Sequence, residues 1–371
     1  MGGTLTEDGL SQIVGHKYVS GAYTPLDNLL NPWWLCISNH LPRWLAPNLI
    51  TCTGLLPLVV VQALHWVYCP TFSEPPPRWL YFTGALALFF YQTTDAVDGK
   101  QARRIGASSP LGQLMDHGCD ALCSLSHHSQ VMLVLLPGPS LQPLLVITSL
   151  MTGFFMAQFE EFFTGVLHTS AGPIGVTELQ YGLMAFLLLA GIGGGENVAQ
   201  LMGSEVCAGF QVRHVVINGW LVLSTVLSVG SLGRTYRGVQ GTQQFWLPLK
   251  VLLPIVILTT SSLMWSRSAL HTSPRLVLWA TGIEYVRITC KLIVVSMAKQ
   301  SFSVNHWGIS VGGVCLAVAL SHLIEGRTLH WLLILVNAAL TVSFFAWVHR
   351  TVSQIARRLG IRVFSVRKVS D

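Results

Sequence analysis

Mostly apolar stretches of about 20 residues alternate with short polar turns along most of the chain. They lie near 47–68, 77–97, 110–136, 140–163, 176–201, 214–233, 246–265, 274–297, 306–323 and 329–348. A helix rises about 1.5 Å per residue, so each stretch is long enough to cross a hydrocarbon core of about 30 Å. The pattern predicts an all-α fold, a polytopic integral membrane helical bundle of about ten transmembrane helices. Residues 1–45 read differently. Leu, Ile and Trp alternate there with polar side chains, which suits an N-terminal amphipathic helix lying in the interface, with Trp33, Trp34 and Trp44 at headgroup level. Three parts follow: a cytosolic or interfacial segment at 1–45, a transmembrane domain at 46–350 and a basic cytosolic tail at 351–371.

Composition supports the membrane assignment. Of 371 residues 51% are hydrophobic and only 10% charged, where soluble chains carry about a quarter charged. Basic residues follow the even-numbered spans: Lys100, Arg103 and Arg104, then Arg234 and Arg237, Lys299, and Arg350 to Lys368. With ten helices this places both termini and all of these charges in the cytosol. The net charge of +6 therefore belongs to short juxtamembrane loops and a tail, which suits anionic lipid headgroups and excludes nucleic acid as the expected partner. The eight cysteines show no CxxC pair or metal-ligand spacing and read as small buried hydrophobes without a disulfide framework. In the fifth stretch "GIGGG", 191–195, permits a close backbone approach or a break in the helix.

Four of the chain's seven aspartates, Asp95, Asp98, Asp116 and Asp120, fall within 26 residues. The i,i+3 and i,i+4 spacings put each pair on one helix face. Between them Gly106 allows a turn, Ser109 is a good N-cap and Pro110 suits the first turn of a new helix, so the two pairs face one another at the ends of the second and third spans. Burying ionised carboxylates without partners costs several kcal/mol or more. A hard divalent ion, Mg²⁺ or Mn²⁺, resolves this, and four carboxylates suffice for two such ions holding a diphosphate. Salt bridges to Arg103 and Arg104 and a proton or cation pathway are the competing readings. Clustering at a helix end, with Gly99, Ala102 and Gly112 interleaved, favours the metal and phosphate.

Written out, the segment is Asp95-x2-Asp98-Gly99-x2-Ala102-Arg103-x8-Gly112-x3-Asp116-x3-Asp120. That resembles the signature of the CDP-alcohol phosphotransferase family without a mismatch. "HKYVSG" (16–21), "WLAPNLIT" (44–51), "DGKQARR" (98–104), "DHGCD" (116–120) and "VTELQ" (176–180) resemble the eukaryotic choline and ethanolamine phosphotransferases, with a catalytic core at about 46–201. The resemblance implies transfer of phosphocholine or phosphoethanolamine from CDP-choline or CDP-ethanolamine to diacylglycerol, with CMP released. It implies that Asp95, Asp98, Asp116 and Asp120 hold two Mg²⁺ or Mn²⁺ ions and that Asn48, Gly99, Ala102, Arg103 and Gly112 receive the CDP-alcohol. His117 is then the base that takes the hydroxyl proton, with Asp120 as a rival, and Glu178 resembles the glutamate that orients the histidine. The resemblance further implies a homodimer in the endoplasmic reticulum or Golgi, with the site facing the cytosol. An ethanolamine-specific enzyme, a phosphatidylinositol-type synthase, a membrane cation transporter and a catalytically silent lipid-binding protein are the alternatives.

Three stretches depart from the family pattern, among them "CKLIVVSMAK", 290–299, which replaces a stretch with Asn and His. Gln113 stands in "GQLMDHG" where related enzymes have Glu, and "QFEEFFTG", 158–165, replaces a His-Trp start. Glu160 and Glu161 in the latter either line the headgroup pocket or flank the interface. Glu284, inside the eighth span, is expected to pair with Arg287 at i+3.

Overall fold

A computed structural model describes residues 5–16, 23–168, 170–240 and 245–366. Most of "HKYVSG", at 17–21, and the tail residues Arg367 and Lys368 lie outside the described residues. The helices run in chain order as α1 (Glu7–Val14), α2 (Pro25–His40), α3 (Pro47–Tyr68), α4 (Arg78–Arg104), α5 (Pro110–Leu135), α6 (Gln142–Thr164), α7 (Val176–Gly193), α8 (Gly195–Gly203) and α9 (Val212–Val239). They continue as α10 (Leu247–Ser262), α11 (Arg267–Thr272), α12 (Pro274–Met297), α13 (Gly308–Leu320) and α14 (Gly326–Leu359). Two short antiparallel hairpins, β1 (Ser170–Ala171) with β2 (Ile174–Gly175) and β3 (Glu205–Cys207) with β4 (Phe210–Gln211), complete the fold.

Each apolar stretch of the sequence except the fifth corresponds to one helix, from α3 at the first to α14 at the last. Among the described residues α3, α6, α7, α9 and α14 are long and apolar enough to cross a membrane. α4, α5 and α12 are longer than 20 residues too, but carry the polar residues of the interior. The fifth stretch is interrupted: α7 ends at Gly193, Gly194 takes φ +85°, and α8 begins. A side chain on Gly195 would collide with the Pro76 carbonyl, so the glycines provide both the break and the close approach. The fold is thus a mostly helical, polytopic membrane bundle.

The core joins Leu80 and Tyr81 of α4, Met132 and Leu133 of α5, Phe155 of α6 and Val277, Ile283 and Tyr285 of α12. Val59 and Val60 on α3, Val222 and Val226 on α9, and Leu335 and Val342 on α14 remain exposed, as lipid-facing apolar residues do. Side-chain contacts show which helix ends share a face of the bundle. Asn48 at the start of α3 bonds the Val363 carbonyl beyond α14, Gln113 at the start of α5 meets Glu161 at the end of α6, and Glu160 pairs with Arg234 near the end of α9. That end carries Arg103, Arg104, Arg234, Arg237, Arg357 and Arg358, as the charge distribution implied. At the opposite end Arg275 donates to the Cys69 carbonyl at 2.9 Å and stacks 4.3 Å over the Phe72 ring.

The N-terminal segment forms two helices. α1 is capped by Thr6 and buries Leu10 and Ile13 against Leu111, Leu114, Ile293 and Ile355. α2 exposes Leu29, Trp33 and Leu35, as an interfacial helix does. Trp34 corrects the expectation of three tryptophans at headgroup level: it is 3% exposed and lies 5.2 Å beneath the Lys100 ammonium. The cause is the docking of α2 on α4, which turns this face inward. All eight cysteines are free, with Cys69, Cys119, Cys123 and Cys290 buried and Cys36 and Cys207 exposed.

Candidate active site

The turn between α4 and α5 forms as its residues dictate. Ser109 Oγ accepts the Gly112 amide at 3.1 Å and Pro110 opens α5. This hairpin brings one carboxylate oxygen each of Asp95, Asp98 and Asp116 to within 4.8 Å of one another. Asp120 lies one turn further along α5, beside Asp95, and accepts the Tyr91 hydroxyl at 2.8 Å. Asp98 is buried and accepts a hydrogen bond from Thr51 Oγ1 on α3. Gly54, one turn along α3, makes that contact possible: a Cβ there would strike Thr94 Oγ1 and lie 3.3 Å from the Tyr91 ring.

The donor set fits a hard divalent cation. It is all oxygen, it converges, and Asp95 Oδ1 is buried without accepting any hydrogen bond. Among the described residues no Lys or Arg forms an ion pair with any of the four aspartates, which removes the salt-bridge reading. Arg104 instead donates to the Ser38 and Leu41 carbonyls at 2.6 and 2.8 Å, capping the C-terminal end of α2. Gln101 donates to the Pro42 carbonyl at 2.9 Å, and Lys100 lies 3.2 Å from the Tyr23 hydroxyl. The "DGKQARR" run therefore divides by face, with Asp98, Gly99 and Arg103 at the site and Lys100, Gln101 and Arg104 gripping α2.

The expected nucleotide-binding residues fall on the rim of the same hairpin. The exposed Arg103 guanidinium folds over Gly99, 3.4 Å from where a Cβ would stand, and the partly buried Ala102 precedes it. Asn48 Oδ1 is 3.7 Å from the corresponding point on Gly112, while Asn48 Nδ2 donates to the Val363 carbonyl at 2.9 Å. Thr51, Tyr91 and the contact to Val363 were not anticipated from the sequence. "WLAPNLIT" contains Thr51, but only the α3–α4 crossing shows which carboxylate it serves.

His117 is 4% exposed and directly follows Asp116. Gln113, one turn earlier on α5, bridges two further groups: its Oε1 is 2.8 Å from His16 Nε2, and its Nε2 donates to Glu161 Oε1 at 3.4 Å. Glu178 is differently engaged from the expectation that it orients His117. One of its oxygens accepts the Gly175 amide at 2.8 Å as the capping box of α7, and the other accepts the Leu26 amide at 3.3 Å at the start of α2. Neither oxygen bonds His117, because the carboxylate is drawn to the unsatisfied amides of two helix starts. Glu284 pairs with Arg287 at 2.9 Å as expected, and also accepts from Ser310 at 2.5 Å.

Residues 44–224 match the sequence profile of the CDP-alcohol phosphatidyltransferases. Relatives resemble the chain over most of its length. An uncharacterized CDP-alcohol phosphatidyltransferase class-I family protein 2 of Dictyostelium discoideum is 30% identical over 98% of this chain and 88% of its own. Cholinephosphotransferase 1 of Xenopus laevis is 30% identical over 98% and 90%, and choline/ethanolaminephosphotransferase 1 of Arabidopsis thaliana 30% identical over 80% of each. With its profile match lying across the aspartate hairpin and this similarity running far beyond it, the chain belongs to the CDP-alcohol phosphatidyltransferase family.

Proposed function

We propose that this protein transfers phosphocholine or phosphoethanolamine from a CDP-alcohol to the free hydroxyl of diacylglycerol, releasing CMP. The observation that carries the reading is the convergence of Asp95, Asp98 and Asp116, with an unpaired carboxylate oxygen, beside the buried His117. Asp95, Asp98, Asp116 and Asp120 would hold Mg²⁺ or Mn²⁺, two ions in the full complement. When bound, the metal neutralises the diphosphate and the charge that develops on departing CMP. The protein's part is positioning. Thr51 and Tyr91 fix the rotamers of Asp98 and Asp120, Gly99, Ala102 and Gly112 leave space for the nucleotide, Asn48 borders it, and Arg103 takes a phosphate oxygen.

His117 accepts the proton of the diacylglycerol hydroxyl as that oxygen bonds to phosphorus and the bond from phosphorus to the CMP oxygen breaks. Glu178 holds the starts of α2 and α7 beside the site. The division into a segment at 1–45, a transmembrane domain at 46–350 and a basic tail at 351–371 is part of the same proposal. So are a homodimer and a location in the endoplasmic reticulum or Golgi with the site on the cytosolic side; the basic residues at the site end support the last of these.

The test uses the purified full chain with diacylglycerol, Mg²⁺ and either CDP-choline or CDP-ethanolamine. CMP release with at least one donor is expected, and no release with either rejects the reading. His117→Ala is expected to lower kcat by about 10²–10⁴-fold with CDP binding retained. Near-normal turnover would remove His117 as the base.

A further inference from the structure

Glu160 and Glu161 are neighbours at the end of α6, yet the fold treats them differently. Glu160, 1% exposed, is neutralised by Arg234, whose Nε and Nη2 donate to its two oxygens at 2.7 and 2.8 Å, and His168 Nδ1 lies 2.9 Å from one of them. Glu161 is 9% exposed. Its one described hydrogen bond comes from a neutral amide, Gln113 Nε2, at 3.4 Å, and among the described residues no Lys, Arg or His pairs with it. Burying a carboxylate without a counter-charge is costly. The adjacent Glu160 shows that this helix end can supply a cation where the fold uses one.

The position of Glu161 indicates what its charge serves. Gln113 stands one turn, about 5.4 Å, before His117 on α5, so the Gln113 amide ties Glu161 to the margin of the transfer site. A CDP-alcohol of the choline or ethanolamine type places a cationic nitrogen two carbons from the oxygen on the transferred phosphorus, and no other group of the two substrates carries a positive charge.

We propose that Glu161, aimed by Gln113, is the anchor for the cationic headgroup of the donor and favours a primary ammonium over a quaternary one. This rests on the phosphotransferase reading above. The preference follows from chemistry: both headgroups satisfy the charge, but only a primary ammonium has N–H groups to give the carboxylate in charge-assisted hydrogen bonds.

Three donors separate the contributions in steady-state assays of the full-length protein: CDP-ethanolamine, CDP-choline and CDP-propanol, in which a methyl group replaces the ammonium. Wild type is expected to show its lowest KM for CDP-ethanolamine and its highest for CDP-propanol. Glu161→Gln is expected to raise the KM for CDP-ethanolamine by about 10–100-fold with little change in kcat. The rise should be smaller for CDP-choline and absent for CDP-propanol. An unchanged KM for CDP-ethanolamine overturns the proposal, and so does an equal rise for all three donors, which marks a structural role. The wild-type ranking needs no variant, and equal KM values across the three donors overturn the proposal independently of how Glu161→Gln folds. Wild type releasing no CMP from any donor rejects the parent reading together with this one, whereas active wild type with an indifferent Glu161→Gln rejects this one alone.

Discussion

Replacing Asp95 by asparagine should make the metal-free protein more stable while abolishing its response to metal. Asp95, Asp98 and Asp116 place carboxylate oxygens within 4.8 Å of one another. At that separation two like charges repel by about 3.5 kcal/mol at an effective dielectric of about 20. Removing one charge of three deletes two of the three pairs, about 7 kcal/mol for fully ionised groups at that separation. Partial exposure of Asp95 and Asp116 and the donors on Asp98 and Asp120 reduce this, leaving an expected gain of about 1–3 kcal/mol. Little opposes it, since Asp95 Oδ1 accepts no hydrogen bond that asparagine would lose, and the new amide N–H groups face the remaining carboxylates. The assay is thermal unfolding of detergent-purified protein in chelator, then with Mg²⁺ or Mn²⁺. Wild type should gain about 2.7 kcal/mol when the metal reaches 100 times its Kd, and Asp95→Asn should melt higher in chelator and gain little from metal. A lower melting temperature for Asp95→Asn in chelator, or an undiminished metal response, would refute the electrostatic reasoning.

Two further substitutions test the supports of the site. Arg234→Met leaves the buried Glu160 with His168 alone and should cost about 1–3 kcal/mol, discounted for the partial exposure of Arg234; adding Glu160→Gln should recover most of the loss in thermal unfolding, and an additive loss would argue against a buried unpaired charge. Arg104→Ala removes two charge-assisted hydrogen bonds from the end of α2 and should cost about 1–3 kcal/mol locally. Limited proteolysis should then cut faster near residues 38–46, and an unchanged cleavage rate would show that α2 is held by other contacts.

The alternation of apolar runs and polar turns made the order and placement of the long helices legible, because membrane-facing surfaces demand continuous apolar length. The aspartate spacing made the hairpin legible for a related reason: i,i+3 and i,i+4 neighbours share a face whatever surrounds the helix. What the sequence concealed depends on which faces meet. Nothing local marks Lys100, Gln101 and Arg104 as residues turned away from Asp98, or Trp34 as the tryptophan that goes inside. Glu178 illustrates the limit most clearly. Its motif pointed to catalysis, but unsatisfied amides at two helix starts lie within its reach, and a carboxylate near such amides is drawn to them. Family resemblance identified the neighbourhood, while hydrogen-bond satisfaction decided the side chain's engagement.

The bond between Asn48 and the Val363 carbonyl spans 315 residues. During synthesis α3, α4 and α5 leave the ribosome early, so the aspartates are paired across their hairpin long before Val363 exists. Asn48, at the rim of the proposed nucleotide site, acquires this partner only after α14 has been translated. The order of synthesis thereby acts as a timer: a nascent chain bears the acidic hairpin throughout insertion, but the contact that ties Asn48 to the chain beyond α14 forms last, when all of the helices are in place.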